Sequence, residues 1–384
     1  MKEQDQILEM LQKGKITAQE AKELLNALSY ENPVKKNKNV ISFDVDKAKE
    51  GLQDIEKNVN DFIKGTFSTL FDRDFTFQIK GKFDLFQKLF KVDVSDVKSP
   101  ELTIYNENGT VELESTDENE LSLNVTVHYK NMEILDDSSF FTFENEEGKI
   151  TFKSKKPSGK EQFYLEVLVK VPEKEFSNIL VETTNAPIFV EDINASKLDL
   201  STTNGKLSIE DSKVKNLSLT TSNGPIAIEN TNGSVAHVKS SNGKISIENI
   251  FFDEFRGSTS NGKIKGEKLD LINLELYTSN GSIDLKNLIT EKLAKTKLSS
   301  TNGDLSIDLG SLKRKANFDL STTAGRINLN IPIEMKFNTQ KNGYSNNKHI
   351  IASTTHFEEG GDAIDFILST TNANIEIDDA IDID

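Results

Sequence analysis

The 384-residue chain has no cysteine, no tryptophan, only seven prolines and only four histidines. Without cysteine there can be no disulfide, no thiolate metal site and no cysteine nucleophile. The histidines, His128, His237, His349 and His356, are scattered, and no two have the spacing of a metal-binding pair. No apolar run approaches the roughly 18 residues that a membrane-crossing helix requires. The polar start Met1–Gln6 does not read as a signal peptide, so the cytoplasm is the default compartment, with membrane-peripheral placement and surface exposure as alternatives. Phosphate-cradling loops, nucleophile elbows, zinc-protease helices and dinucleotide fingerprints are also missing. Aspartates are plentiful but do not fall at the offsets of a calcium loop. Catalysis, a cofactor and a bound metal are therefore not expected. With 62 acidic against 46 basic residues the formal charge is −16, which repels a nucleic-acid backbone, and a nucleic-acid partner is not expected either.

What the chain does have is a repeat. A [Ser/Thr]-[Ser/Thr]-Asn-[Gly/Ala] box places Asn185, Asn204, Asn223, Asn242, Asn261 and Asn280 at constant intervals of 19 residues. Asn302 follows after 22 residues, Ala324 takes the Asn place after another 22, and the box returns at Thr370-Thr371-Asn372-Ala373. Three residues beyond each Asn stand Ile188, Leu207, Ile226, Ile245, Ile264, Ile283, Leu305 and Ile375. Two residues further on stand Val190, Ile209, Ile228, Ile247, Gly266, Leu285, Ile307 and Ile377. A spacing of two puts both side chains on one face of a strand. A second pair recurs at Leu198/Leu200, Leu217/Leu219, Ala236/Val238, Phe255/Gly257 and Leu274/Leu276. One unit cannot bury such faces alone, but stacked units can. The reading is a mainly β protein: a parallel β-solenoid of two-strand coils of about 19 residues, with a small α-helical N-terminal region. Asn-Gly after a strand suits a turn of positive φ, and Asn185, Asn204, Asn223, Asn242, Asn261, Asn280 and Asn302 are expected to stack as a structural amide ladder.

The organisation reads in four parts. Residues 1–28 form a helical hairpin: Ile7, Leu8 and Leu11 make an apolar stripe, Gly14 ends the first helix, and Thr17-Ala-Gln-Glu20 is a capping box for the second. Two such short helices bury little, so they are expected to recruit a protein partner or a second copy. A DNA-reading helix pair is disfavoured by seven basic against six acidic groups in residues 1–40. Residues 29–39 are a polar linker. Residues 40–91 are read as an amphipathic, Phe-rich helical segment, with apolar residues at 3/4 spacing from Val45 to Leu70 and a local charge of +3 over 57–91. Its Phe62, Phe67, Phe71, Phe83, Phe86 and Phe90 are expected to offer a membrane-contact or self-association face; packing against the β domain is the plainer alternative. Residues 92–384 are the β domain: capping strands at 101–182, regular repeats at 183–330 and C-terminal strands at 331–384, interrupted by the polar loop Thr339–Lys348.

Two of these stretches carry a resemblance. Ile7-Leu-Glu-Met-Leu-Gln-Lys-Gly-Lys-Ile-Thr-Ala-Gln-Glu-Ala-Lys-Glu-Leu-Leu25 resembles the SHOCT-like helical hairpin that opens YvlB-type bacterial proteins. Val169-Lys-Val-Pro172, the repeated boxes and Ile327-Asn-Leu-Asn-Ile-Pro332 are similar to the adhesin-like β-strand-repeat domain of that family. The resemblance implies a non-enzymatic bacterial binding or scaffold protein, with some relatives, of the LiaX type, associated with cell-envelope stress. It carries over no site residue. An exported adhesin or antimicrobial-peptide sensor is the alternative, and a carbohydrate-active β-helix enzyme a more distant one. The charge is uneven: residues 101–182 hold −10 and the repeats at 183–309 only −2.

Overall fold

The structure is a computed structural model that describes residues 41–44, 83–130, 137–158, 160–339, 347–355 and 362–379. The helical hairpin at 1–28, the linker at 29–39, most of the Phe-rich segment including Phe62, Phe67 and Phe71, the tip of the 339–348 loop and His356 lie outside the described residues.

The repeats stack as parallel strands in exact 19-residue register. Leu198 pairs with Leu217, Leu217 with Ala236, Ile188 with Leu207, and Ile226 with Ile245. Each coil has a first strand such as Lys213–Thr221, a Ser-Asn-Gly corner, and a second strand such as Ile226–Glu229. Alternation turns Leu217, Leu219, Ile226 and Ile228 inward, each about 1% exposed or less. A third inward column, which the two-strand reading lacks, follows the second corner: Ile193, Ser212, Thr231, Ile250, Leu269 and Leu288, all buried. Short bridges such as Lys213↔Asn232 and Asn232↔Phe251 hold this third side together. Gly233 leaves the space on it that the Phe252 ring fills from the next coil.

Both ends of the stack depart from chain order. The coil made by Glu101–Asn106 and Gly109–Thr116 lies between Lys149–Ser154/Gln162–Pro172 and the first regular coil, Asn178–Thr183/Ile188–Glu191. Residues 101–182 are thus coils as well as caps. At the other end, Ile364–Thr370/Ile375–Asp378 inserts between Lys295–Ser299/Leu305–Asp308 and Ala316–Thr322/Ile327–Asn330.

Antiparallel strands then extend the ends, so the sheet is not parallel throughout. Glu120–Lys130 pairs with Gln162–Pro172, Asp84–Asp93 with Glu120–Lys130, and Ile41–Asp44 with Asp84–Asp93. Phe141–Glu146 pairs with Lys149–Ser154, and Lys348–Thr354 and Ile333–Asn338 extend the far end. Such strands cover the sheet edges that a bare coil would expose.

This arrangement corrects the helical reading of the Phe-rich segment where it is described. Residues 84–93 form a strand, and Phe86 and Phe90 are core residues, each 5% exposed. Phe90 stacks on Phe143 with ring centroids 4.1 Å apart, and Phe86 packs against Phe140. Phe83, just before the strand, is half-buried and meets the edge of Tyr164. None of the three is part of an outward contact face. Phe86, Phe90 and Val92 are spaced for a strand with Lys88 between them, and Lys88 reaches the core side because Asp137 pairs with it at 2.9 Å.

Candidate functional site

The Asn corner is the most regular feature of the surface. Asn204 Nδ2 donates to Asn185 Oδ1 at 2.7 Å, and the bond repeats from Asn223, Asn242, Asn261 and Asn280, each to the Asn before it, with Asn302 to Asn280 at 2.8 Å. The ladder is longer than the seven residues read from the sequence. Asn185 donates to Asn108, and Asn372 donates to Asn302, both at 2.7 Å. Asn108 has a legible signal, since Gly109 follows it and Val111 and Leu113 stand three and five residues on. Ala324, without an amide, ends the series.

The other residues of the box have equally definite roles. At Thr202, Thr221, Thr259, Thr278 and Ser300 the hydroxyl two places before the Asn is buried and works in two directions. Thr278 Oγ1 accepts from the Gly281 amide at 3.1 Å and donates to the Gly262 carbonyl of the preceding coil at 3.2 Å. In the regular coils each Gly is required for room, not for handedness, whereas Gly109, with φ 121°, is required for both. A Cβ on Gly224, Gly243, Gly262 or Gly281 would fall 1.6–1.9 Å from the carbonyl oxygen of the Gly one coil below. The expected positive φ lies instead at the second corner, in Asp192, Asp211, Asn230, Asn249, Lys268 and Asn287, with φ between 46° and 53°. Asp and Asn tolerate that conformation best among side-chain-bearing residues. The Asn corner therefore holds coils together and leaves no group arranged for chemistry.

Charge organises the outer face of the second strands. Glu191, Glu210, Glu229, Glu248 and Glu267 occupy one register position in five successive coils. Neighbouring strands are about 4.8 Å apart, so these carboxylates repel one another. Partial burial first, then Glu114, Asp211 and Asp192, raises the pKa of Glu191; partial burial, then Glu229, Asp211 and Glu191, raises that of Glu210. Glu112 lies at the N-terminal end of this face between Leu168 and Phe189. Its carboxyl is pushed up to about 7 by burial and by Glu114 and Glu166.

A cleft of about 890 Å³ opens at the same end of the stack, over the outer side of the first strands. Tyr105, Lys153, Glu182 and Thr142 line it; Lys153 stands 5.9 Å from the Tyr105 ring centroid, and Glu107 pairs with Lys156 at 3.3 Å. Its mixed hydroxyls and charges can hydrogen-bond a polar ligand but set up no nucleophile–base pair. His128 pairs with Glu166 at 3.3 Å and His349 with Asp319 at 2.7 Å, in separate places. Among the described residues no group of His, Asp and Glu is arranged to hold a metal ion, and no helix is long and apolar enough to cross a membrane.

These features define a β-solenoid repeat protein with antiparallel end extensions. Residues 99–355 match the family model described as Toastrack DUF4097, and the chain belongs to that family. Residues 2–30 match a SHOCT-like domain. No curated protein matches the chain. Among solved structures it is similar to the crystal structure of a candidate cell adhesion protein from Clostridium sporogenes. The identity is 10%, the match covers 78% of this chain and 100% of that one, and the TM-score is 0.22.

Proposed function

We propose that the protein is a non-enzymatic binding or scaffold protein linked to the bacterial cell envelope, with the solenoid as a rigid interaction surface. One observation carries this reading. Inward columns keep a largely apolar chemistry from coil to coil, while a single outward register position on the first strands runs Asp199, Ser218, His237, Arg256, Glu275, Lys297. A repeating frame that displays a non-repeating outer sequence is the arrangement by which solenoids build extended recognition surfaces. A carbohydrate-cleaving site would call instead for paired carboxylates in a groove. The segment preceding the β domain supplies contact with a partner, a second copy or the membrane surface, and the SHOCT-like match and the YvlB-type resemblance support that assignment.

Fractionation of bacteria that make the full chain tests the proposal. The expected result is recovery with the envelope and protection from protease added to intact cells. Digestion by that protease would favour the exported adhesin or peptide-sensor reading. Recovery only in the cytosol, at native expression level, would remove the envelope link.

A further inference from the structure

The outer face of the second strands carries a column of glutamates and, alongside it, a column of lysines interrupted by Pro225. Lys206, Lys244 and Lys263 stand four residues before Glu210, Glu248 and Glu267 in their respective coils. Four residues of strand are about 13 Å, too far for a lysine to reach the glutamate of its own coil directly. Accordingly, among the described residues no ion pair joins the two columns: Lys263 turns to Asp284 at 3.3 Å, and Lys206 lies over the Phe189 ring at 5.6 Å. Lys244, Glu229 and Glu248 are exposed. Between the columns the middle outward positions are small in three successive coils: Ser208, Ala227 and Ser246.

We propose that this face is a self-association surface, on which a second copy docks about a two-fold axis parallel to the solenoid axis. That axis exchanges the columns. Lys206 and Lys244 of one copy then face Glu210 and Glu248 of the other, each pair formed twice, across the gap left by Ser208, Ala227 and Ser246. A two-fold axis along the strands would set lysine on lysine and glutamate on glutamate, which charge forbids. The spacing selects the occupant. The glutamates repeat every strand, about 4.8 Å, whereas an extended basic peptide presents same-side cations about 6.6–6.8 Å apart. A second copy of this solenoid repeats at the same pitch. The matched stretch spans few coils and is small beside the ~800 Å² per partner of a standard interface, so the association is weak and sensitive to salt.

Sedimentation velocity of the full chain over a concentration series, at low and high salt, tests this. The expected result is a concentration-dependent dimer at low salt that dissociates at high salt. Lys244→Glu and Glu248→Lys should each weaken it by about tenfold, and the double exchange should restore it. Glu248→Lys also relieves repulsion from Glu229 and Glu267, so its effect cannot be laid to loss of folding. A monomer at every concentration in low salt would overturn the proposal. So would a dimer that survives high salt and both single reversals, because it would then form through another surface.

Discussion

Gly243 lies so close above Gly224 that a Cβ on Gly243 would sit 1.7 Å from the Gly224 carbonyl oxygen. That contact fixes how closely the coils stack at the Asn corner. Gly243→Ala should therefore cost about 4 kcal/mol or more, among the largest single-site effects in a domain. Denaturant melts would measure it, and a near-neutral result would mean that the corner yields.

Asn242→Ala removes two links of the amide ladder, to Asn223 and from Asn261. Both lie at an exposed corner, and the expected loss is about 1 kcal/mol. Ile226→Ala or Ile245→Ala, in the core column three residues beyond the Asn, should cost about 2–5 kcal/mol. The order of the two effects is the prediction. A costlier asparagine would make the ladder, not the core, the main support of the stack.

Thr296 stands in a column where Leu274 precedes it and Phe366 follows. It is fully buried, and its Oγ1 has no hydrogen-bond partner. Thr296→Val keeps the shape and removes the unsatisfied hydroxyl, so it should stabilise the fold by about 1 kcal/mol. A thermal melt showing a lower midpoint would point to a hidden partner for the hydroxyl.

Glu112 supplies a pH dependence of unusual sign. Its folded-state pKa, about 7, lies above the ordinary carboxyl value of 4.5, chiefly because of burial. Between those values the folded state holds the proton more tightly than the unfolded state, so this group's contribution falls as pH rises from 4.5 to 7. The full effect is on the order of 3 kcal/mol. Glu112→Gln should raise stability at pH 8 and narrow the difference from wild type as pH drops below 5. An equal difference at both pH values would show that Glu112 is not desolvated.

The repeat was plain in the sequence because each residue of the box has one physical task and recurs for that reason. The third inward column was harder to see. Ser212 and Thr231 interrupt Ile193, Ile250, Leu269 and Leu288, so no apolar period stands out. Asn108 is hidden by spacing, because its coil connects to its neighbours over intervals other than 19 residues, although its own apolar offsets match the repeat. The strand at Asp84–Asp93 was obscured for a different reason. Phe83, Phe86 and Phe90 follow a helical 3/4 spacing, but Phe86 and Phe90, four residues apart, fit a strand's period equally well, and pairing with Glu120–Lys130 decides between them. Glu191, Glu210, Glu229, Glu248 and Glu267 recur every 19 residues, but only stacking makes them neighbours on one face.

The coil Ile364–Asp378 sits between two coils that are synthesised before it. The stack therefore cannot be laid down in simple order as the chain leaves the ribosome. The coils from Asn178 to Asp308 can zip up one upon another as they emerge, each finding its neighbour already made. Ala316–Asn330 must wait without a parallel partner until the later segment arrives and locks it in place. The final stretch of chain thus acts as a keystone. Shortening the protein before residue 364 would remove an interior layer and leave Ala316–Thr322 with its antiparallel neighbour Lys348–Thr354 but no parallel coil to rest on.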